Sequence, residues 1–276
     1  MATPTDTNMA KNFLVTHQRG FSAVAVTTFI FLYTPLAVAL IFAFNAGTSA
    51  AKWGGFSLRW FQSAANNQQV IAASILSLKL AVISAILATA VSTFAALAMT
   101  RGPKFRGWTF TYGIISVPLM VPEIVTAVAL LVVSATFRGW TGYTGLAYLI
   151  VAHTAFCVPF AYLPIRGRLQ TMDISLERAA GDLYASPWNA FRFITMPLLF
   201  PGILAGFILA FVTSLDDVVI TEFVKTAGQD TLPTYMLGQV RRTITPEVNA
   251  IAAVFFAISL ALVICIYAVN QRTKIN

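Results

Sequence analysis

Val70–Met99 reads VIAASILSLKLAVISAILATAVSTFAALAM, thirty residues with a single charge, Lys79. A helix needs about 20 apolar residues to cross the roughly 30 Å hydrocarbon core of a bilayer, and this run exceeds that. Five runs of the same kind flank it: Phe21–Phe44, Trp108–Ser134, Leu146–Pro164, Leu198–Thr221 and Val248–Val269. Leu146–Pro164 is the shortest, with Pro159 and Pro164 at its inner end. All six are continuously apolar, whereas a barrel strand alternates over about 10 residues. The apolar part of Phe21–Phe44 outruns the 7–15 residues of a signal-peptide core, so it is read as a helix. The prediction is an all-α membrane protein with six transmembrane helices. Composition agrees: the chain is 58% hydrophobic and 10% charged, against about 25% charged in ordinary soluble domains.

Lys and Arg orient the bundle, because they concentrate in cytoplasmic loops. One set of loops holds eleven of them: Lys11, Arg19, Arg101, Lys104, Arg106, Arg166, Arg168, Arg178, Arg192, Arg272 and Lys274. The other set holds six: Lys52, Arg59, Arg138, Lys225, Arg241 and Arg242. Both termini are therefore expected in the cytoplasm, with a tail at 1–20, a membrane domain at 21–269 and a second tail at 270–276. The net charge of +8 lies in short juxtamembrane loops rather than on one basic face. That pattern fits contact with anionic membrane lipid and not with nucleic acid. Cys157 and Cys265 lie within apolar runs and are read as small core residues rather than a disulfide or metal pair.

The loop at about 166–197 is the one long polar, helix-prone insert. Asp173 and Ser175 suit a helix start, and Glu177 in the first turn complements the helix dipole. Ala179, Ala180, Asp182, Leu183 and Ala185 continue that helix. Ser186-Pro187 reads as an N-cap followed by proline at the first helical position, opening a second short helix. Met196-Pro197 is expected to end it. Trp188, Phe191, Phe193 and Ile194 are bulky apolar anchors beside Arg192, the pattern of an interaction surface.

Ionisable residues inside a span are costly and mark functional candidates. Glu123, Asp216, Asp217 and Lys79 are of this kind. Glu123 follows Pro118 and Pro122, which remove backbone donors and open the helix. Adjacent helical residues point about 100° apart, so Asp216 and Asp217 are expected to face different surroundings. The carboxylates suit a path for a cationic solute, with Lys79 in a structural ion pair to one of the acids. His153 is read as a satisfied core residue. No Gly-x-x-x-x-Gly-Lys-[Ser/Thr] phosphate-binding motif occurs in the chain.

The insert resembles the Glu-Ala-Ala loop of ABC-importer permeases. Arg178-Ala179-Ala180, Tyr184 and Ile194-Thr195-Met196-Pro197 stand where that family has Glu-Ala-Ala, Gly and Ile-x-Leu-Pro. Two positions depart. Arg178 replaces the glutamate, with Glu177 just before it, and Tyr184 replaces the glycine. Ser214-Leu215-Asp216-Asp217-Val218-Val219-Ile220, Leu232-Pro233, Pro122-Glu123-Ile124-Val125 and the stretch from His153 to Phe160 resemble the spermidine/putrescine importer permeases. This resemblance implies the type I importer permease fold and uptake of a small cationic solute such as a polyamine, or of an opine, amino acid or other small amine.

The resemblance also implies a bacterial inner-membrane location. The implied partners are a second, related permease, a dimer of ATPase subunits holding the ATP and magnesium, and an extracytoplasmic binding protein. It places the ATPase contact on Glu177, Arg178, Ala179, Ala180, Asp182, Leu183, Tyr184, Ala185 and Ser186. No cofactor, metal or catalytic residue is expected in this chain. An ion-coupled secondary transporter competes with this reading, but the long insert and the lack of an evident inverted repeat speak against it. A membrane enzyme would need a cluster of nucleophilic or metal-binding groups, and His153 stands alone.

Overall fold

The computed structural model describes residues 19–49, 52–103, 105–242 and 245–275, with the side chains of 19, 262, 263 and 265–275 excepted. The expectations placed on Lys11, Lys104 and the N-terminal tail before Arg19, and on the side chains of Cys265, Arg272 and Lys274, lie outside this range. Twelve α-helices are described: α1 Arg19–Phe42, α2 Arg59–Asn66, α3 Gln68–Arg101, α4 Trp108–Met120, α5 Glu123–Thr141, α6 Ala147–Thr171, α7 Ser175–Asp182, α8 Pro187–Ala190, α9 Met196–Leu215, α10 Val219–Val224, α11 Leu232–Arg242 and α12 Pro246–Ile275. A π-helical turn, Phe191–Thr195, joins α8 to α9.

The chain divides into two compact units, residues 1–64 with 243–257 and residues 65–242 with 258–276. In the first, α1 buries none of its apolar window. The loop after it is built on Asn45, which is fully buried. Its Nδ2 donates to the carbonyls of Ser49 and Lys52 at 3.0 and 2.8 Å. Its Oδ1 accepts from the N–H groups of Gly47 and Gly54 at 3.0 and 2.7 Å. Every polar position of the amide is used, which offsets the cost of burying it.

In the second unit α3, α6 and α9 pack on one another. Helices in lipid gain little from apolar burial alone, so close approach through small residues carries the contact. The buried stripe of α3 is of that kind: Ala73, Ser77, Ala81, Ser84, Ala85, Ala88, Ser92 and Ala96. Ser92 donates to the Val158 carbonyl of α6 at 2.8 Å. Gly206 of α9 lies so close to α6 that an added Cβ would stand 2.7 Å from the Ala161 carbonyl oxygen.

Three expected spans differ in detail. Trp108–Ser134 is two helices, α4 and α5, because Pro118 and Pro122 leave the carbonyls of residues 114 and 118 without their helical donors; the chain is extended at Val121–Pro122. The fourth run continues through Pro159 and Pro164 as one helix to Thr171. Neighbouring helices hold such prolines in membrane spans, and Arg168 Nε reaches the Leu198 carbonyl of α9 at 2.9 Å. The fifth ends at Leu215 rather than Thr221. Met196-Pro197 also does not end a helix. Pro197 sits in the first turn of α9, and the π turn before it absorbs the missing donor, with Met196 N–H bonded to Phe191 O.

Candidate functional site

The break between α9 and α10 organises the acidic residues. Asp216 caps α9, its N–H donating to Val212 O at 3.1 Å, and its side chain is exposed. Asp217 turns inward and is 5% exposed. Its Oδ1 accepts from the Ile220 N–H at 3.2 Å, and its Oδ2 from the Thr221 N–H at 2.8 Å and the Thr221 hydroxyl at 2.7 Å. An acidic side chain accepting the first N–H groups of a helix satisfies donors that the helix itself cannot. The His153 ring of α6 lies beside it, Nε2 at 3.4 Å from Asp217 Oδ2. Nδ1 lies 2.8 Å from the Ser214 hydroxyl, and Nε2 lies 3.0 Å from the Thr221 hydroxyl. His153 is thus buried and satisfied on both nitrogens.

Glu123 enters the same corner from α5. Directly after the proline break, it is exposed and in the first helical turn. Its carboxyl is an electrostatic neighbour of Asp217 and, more weakly, of Asp216. Three carboxyl groups from two helix breaks therefore converge. Among the described residues no Lys or Arg forms an ion pair with any of them.

Lys79 does not pair with Glu123 or Asp216. It is exposed and faces a cleft of about 1030 Å³ between α3 and α10–α11. Two residues before it, the Ser77 hydroxyl accepts the Leu232 N–H at 2.7 Å and pins α11 to α3. In the same cleft Lys225 bonds Asp230 at 2.6 Å and Glu222 at 2.7 Å. Partial burial works against its charge, but the two carboxylates outweigh that and hold its pKa above the ordinary lysine value.

The insert forms the expected helix over Ser175–Asp182, but Leu183 and Ala185 lie beyond its end, where the chain turns left-handed at Tyr184. Asp173 accepts the Ser175 N–H at 2.9 Å, and the Ser175 hydroxyl, with that N–H second, keeps its carboxyl below the usual aspartate range. Ser186 caps α8 by accepting the Asn189 N–H at 3.3 Å. Two residues fall on the inner side. Glu177 Oε1 accepts from Arg101 Nε and from the Thr195 hydroxyl, both at 3.1 Å, so it ties α7 to the base of α3. Ala180 is buried.

Arg178, Ala179, Asp182 and Ser186 face outward, Ala185 is half-buried, and Leu183 and Tyr184 are 82% and 98% exposed. Tyr184 adopts the left-handed conformation with φ of 59°, the geometry a glycine would take without strain. An apolar groove beside it is lined by Leu176, Ala179, Leu183, Phe193 and Ile194.

Sequence reasoning found the acids and the insert but missed their partners. Ser214 and Thr221 are polar residues in an otherwise apolar run. Their spacing across the break was the available signal for a shared buried partner.

Residues 88–275 match the family described as "Binding-protein-dependent transport system inner membrane component". The chain is 34% identical over 250 residues to the putrescine transport system permease protein PotI of Escherichia coli (strain K12), covering 89% of each. It is 34% identical over 257 residues to the spermidine/putrescine transport system permease protein PotC of Haemophilus influenzae, covering 92% of this chain and 97% of that one. A solved bacterial ABC transporter involved in import of the acidic polysaccharide alginate has a chain of the same fold. It has a TM-score of 0.67 and 13% identity, covering 99% of this chain and 98% of that one.

Proposed function

The chain belongs to the family of binding-protein-dependent transport system inner membrane components, and from that premise, as a permease subunit of an ABC importer, we propose that it carries a small polyamine inward. The electrostatic proximity of Glu123, Asp216 and Asp217, with no ion pair to a Lys or Arg among the described residues, is the observation that carries this reading. A cationic amine leaving water has to be solvated by something, and carboxylates with proline-freed carbonyls beside them replace that hydration. The names of the relatives, permeases of putrescine and spermidine/putrescine systems, agree with that chemistry.

On this reading Asp216 and Glu123, the exposed members, meet the solute, while Asp217 holds the corner. A second, related permease completes the path, and membrane lipid surrounds the pair. An extracytoplasmic binding protein delivers the amine. A dimer of ATPase subunits binds ATP and magnesium and docks on the cytoplasmic insert at Arg178, Ala179, Asp182, Leu183, Tyr184, Ala185 and Ser186. Glu177 and Ala180 support that surface from inside. Both termini lie in the cytoplasm, and residues 21–269 form the membrane domain. Closure of the ATPase dimer moves α7 as a lever, and the packed helices switch the side to which the path opens.

The test is reconstitution of the complete importer in proteoliposomes with its binding protein. ATP-dependent uptake of radiolabelled putrescine or spermidine is the expected result. Uptake of an uncharged or anionic solute in preference to both amines would overturn the substrate class. Uptake driven by an ion gradient without ATP would overturn the coupling.

A further inference from the structure

His153 bridges the break in the fifth span from outside it. Ser214 lies before the break and Thr221 after it, and the ring is within hydrogen-bond distance of both hydroxyls, at 2.8 and 3.0 Å. The donor order follows from counting hydrogens. Thr221 has one hydroxyl hydrogen and gives it to Asp217 Oδ2 at 2.7 Å. Its oxygen can then only accept from the ring, so His153 Nε2 carries a hydrogen. In the neutral ring Nδ1 is left as the acceptor, and the Ser214 hydroxyl donates to it. The order runs Ser214 to His153 to Thr221 to Asp217, through residues that are all buried. Each member has its partner, the condition under which a buried polar network rigidifies the structure around it.

Asp216 is the residue this network leaves out, and it sits next to the anchored one. Its exposed side chain projects from a two-ended clamp, with Ser214 two residues before it and Asp217 directly after. We infer that His153 is a positioning residue: it touches no solute itself, and by clamping both sides of the α9–α10 break it aims the Asp216 carboxylate at the solute path.

This inference rests on the proposed role of Asp216, and the experiment separates the two. Putrescine uptake and co-purified ATPase are measured in the complete importer for T221V, T221S, H153L, H153Q and D216N, and for T221V combined with D216N. The Thr221→Val change keeps shape but removes the hydroxyl; Thr221→Ser keeps the hydroxyl. The Gln amide reaches the position of Nε2 and still donates to Thr221, whereas Leu only fills the volume.

T221V and H153L are expected to slow uptake about tenfold, the size associated with losing a hydrogen bond to a charged group. T221S is expected within about twofold of the wild type, and H153Q, which keeps the Thr221 side of the clamp and loses the Ser214 side, between T221S and H153L. Placed on D216N, T221V is expected to add nothing, because the two act through one carboxylate. Normal uptake by T221V, or a loss that adds to that of D216N, overturns the positioning role while the solute path stands. Normal uptake by D216N overturns the solute path instead. Should H153L fail to assemble with the ATPase, the Thr221 pair, which differs by a hydroxyl and a methyl, decides the question.

Discussion

Asp216 and Asp217 are neighbours with opposite duties. Asp217→Asn replaces one acceptor oxygen by a donor facing the Thr221 N–H and hydroxyl, so buried donors lose their partners. The expected cost is about 1–3 kcal/mol, read as a lower unfolding midpoint and a lower yield of complex. Asp216→Asn touches no such network. It should leave assembly intact and slow polyamine uptake roughly 30- to 1,000-fold, the effect of removing one side of a charge contact in a dry site. Glu123→Gln should act in the same direction but less strongly, because the carbonyls freed by Pro118 and Pro122 still accept hydrogen bonds. Equal stability of the two asparagine variants would contradict the division of labour. Tyr184 adopts a left-handed conformation that costs a non-glycine residue roughly 1–2 kcal/mol. Tyr184→Gly should therefore protect the α7 turn against hydrogen exchange, and an unchanged exchange rate would show the strain is relieved elsewhere.

At the scale of elements, the α6–α9 contact is the most exacting. A methyl at residue 206 would meet the Ala161 carbonyl at 2.7 Å and Ile165 at 3.0 Å, so Gly206→Ala should destabilise by about 1–3 kcal/mol as an overpacked site does. Gly113→Ala, which meets nothing within 4 Å, is the control, and a similar loss in both would mean the close approach does not matter. The insert divides just as sharply. Ala180→Glu would force a charge into a buried site and damage the permease itself, so it cannot report on docking. Leu183→Asp changes an exposed side chain and is expected to reduce ATPase co-purification while membrane insertion stays normal. The existence of these helices was legible from apolar run length and from capping residues. Their breaks were less so: Pro122 ends a helix, whereas Pro159, Pro164 and Pro197 do not, and the difference lies in what packs beside each.

For the whole molecule, apolar run length decides that the chain crosses a bilayer, and the bias of Lys and Arg is the ground on which its orientation is proposed. Both are properties of composition along the chain, and burial of backbone polar groups in lipid leaves only helices as the answer for such runs. The cleft beside Lys79 extends that logic to charge. Lys225 contributes its ion-pair stabilisation fully below the ordinary lysine pKa, and loses it only as pH rises through the higher value of the folded state. The deficit caused by Lys225→Met should accordingly be the same at pH 6 and pH 8, and a deficit that shrinks across that interval would count against the pairing. Fold class, the acidic candidates and the polar insert could all be read from the order of residues, because hydropathy, turn chemistry and charge are local. The pairing of His153 with Ser214 and Thr221, the freedom of Lys79 from Glu123 and Asp216, and which of Asp216 and Asp217 turns inward could not. Each depends on a contact across 61 or 68 positions or on where a helix stops, and those are set by side chains meeting across packed helices.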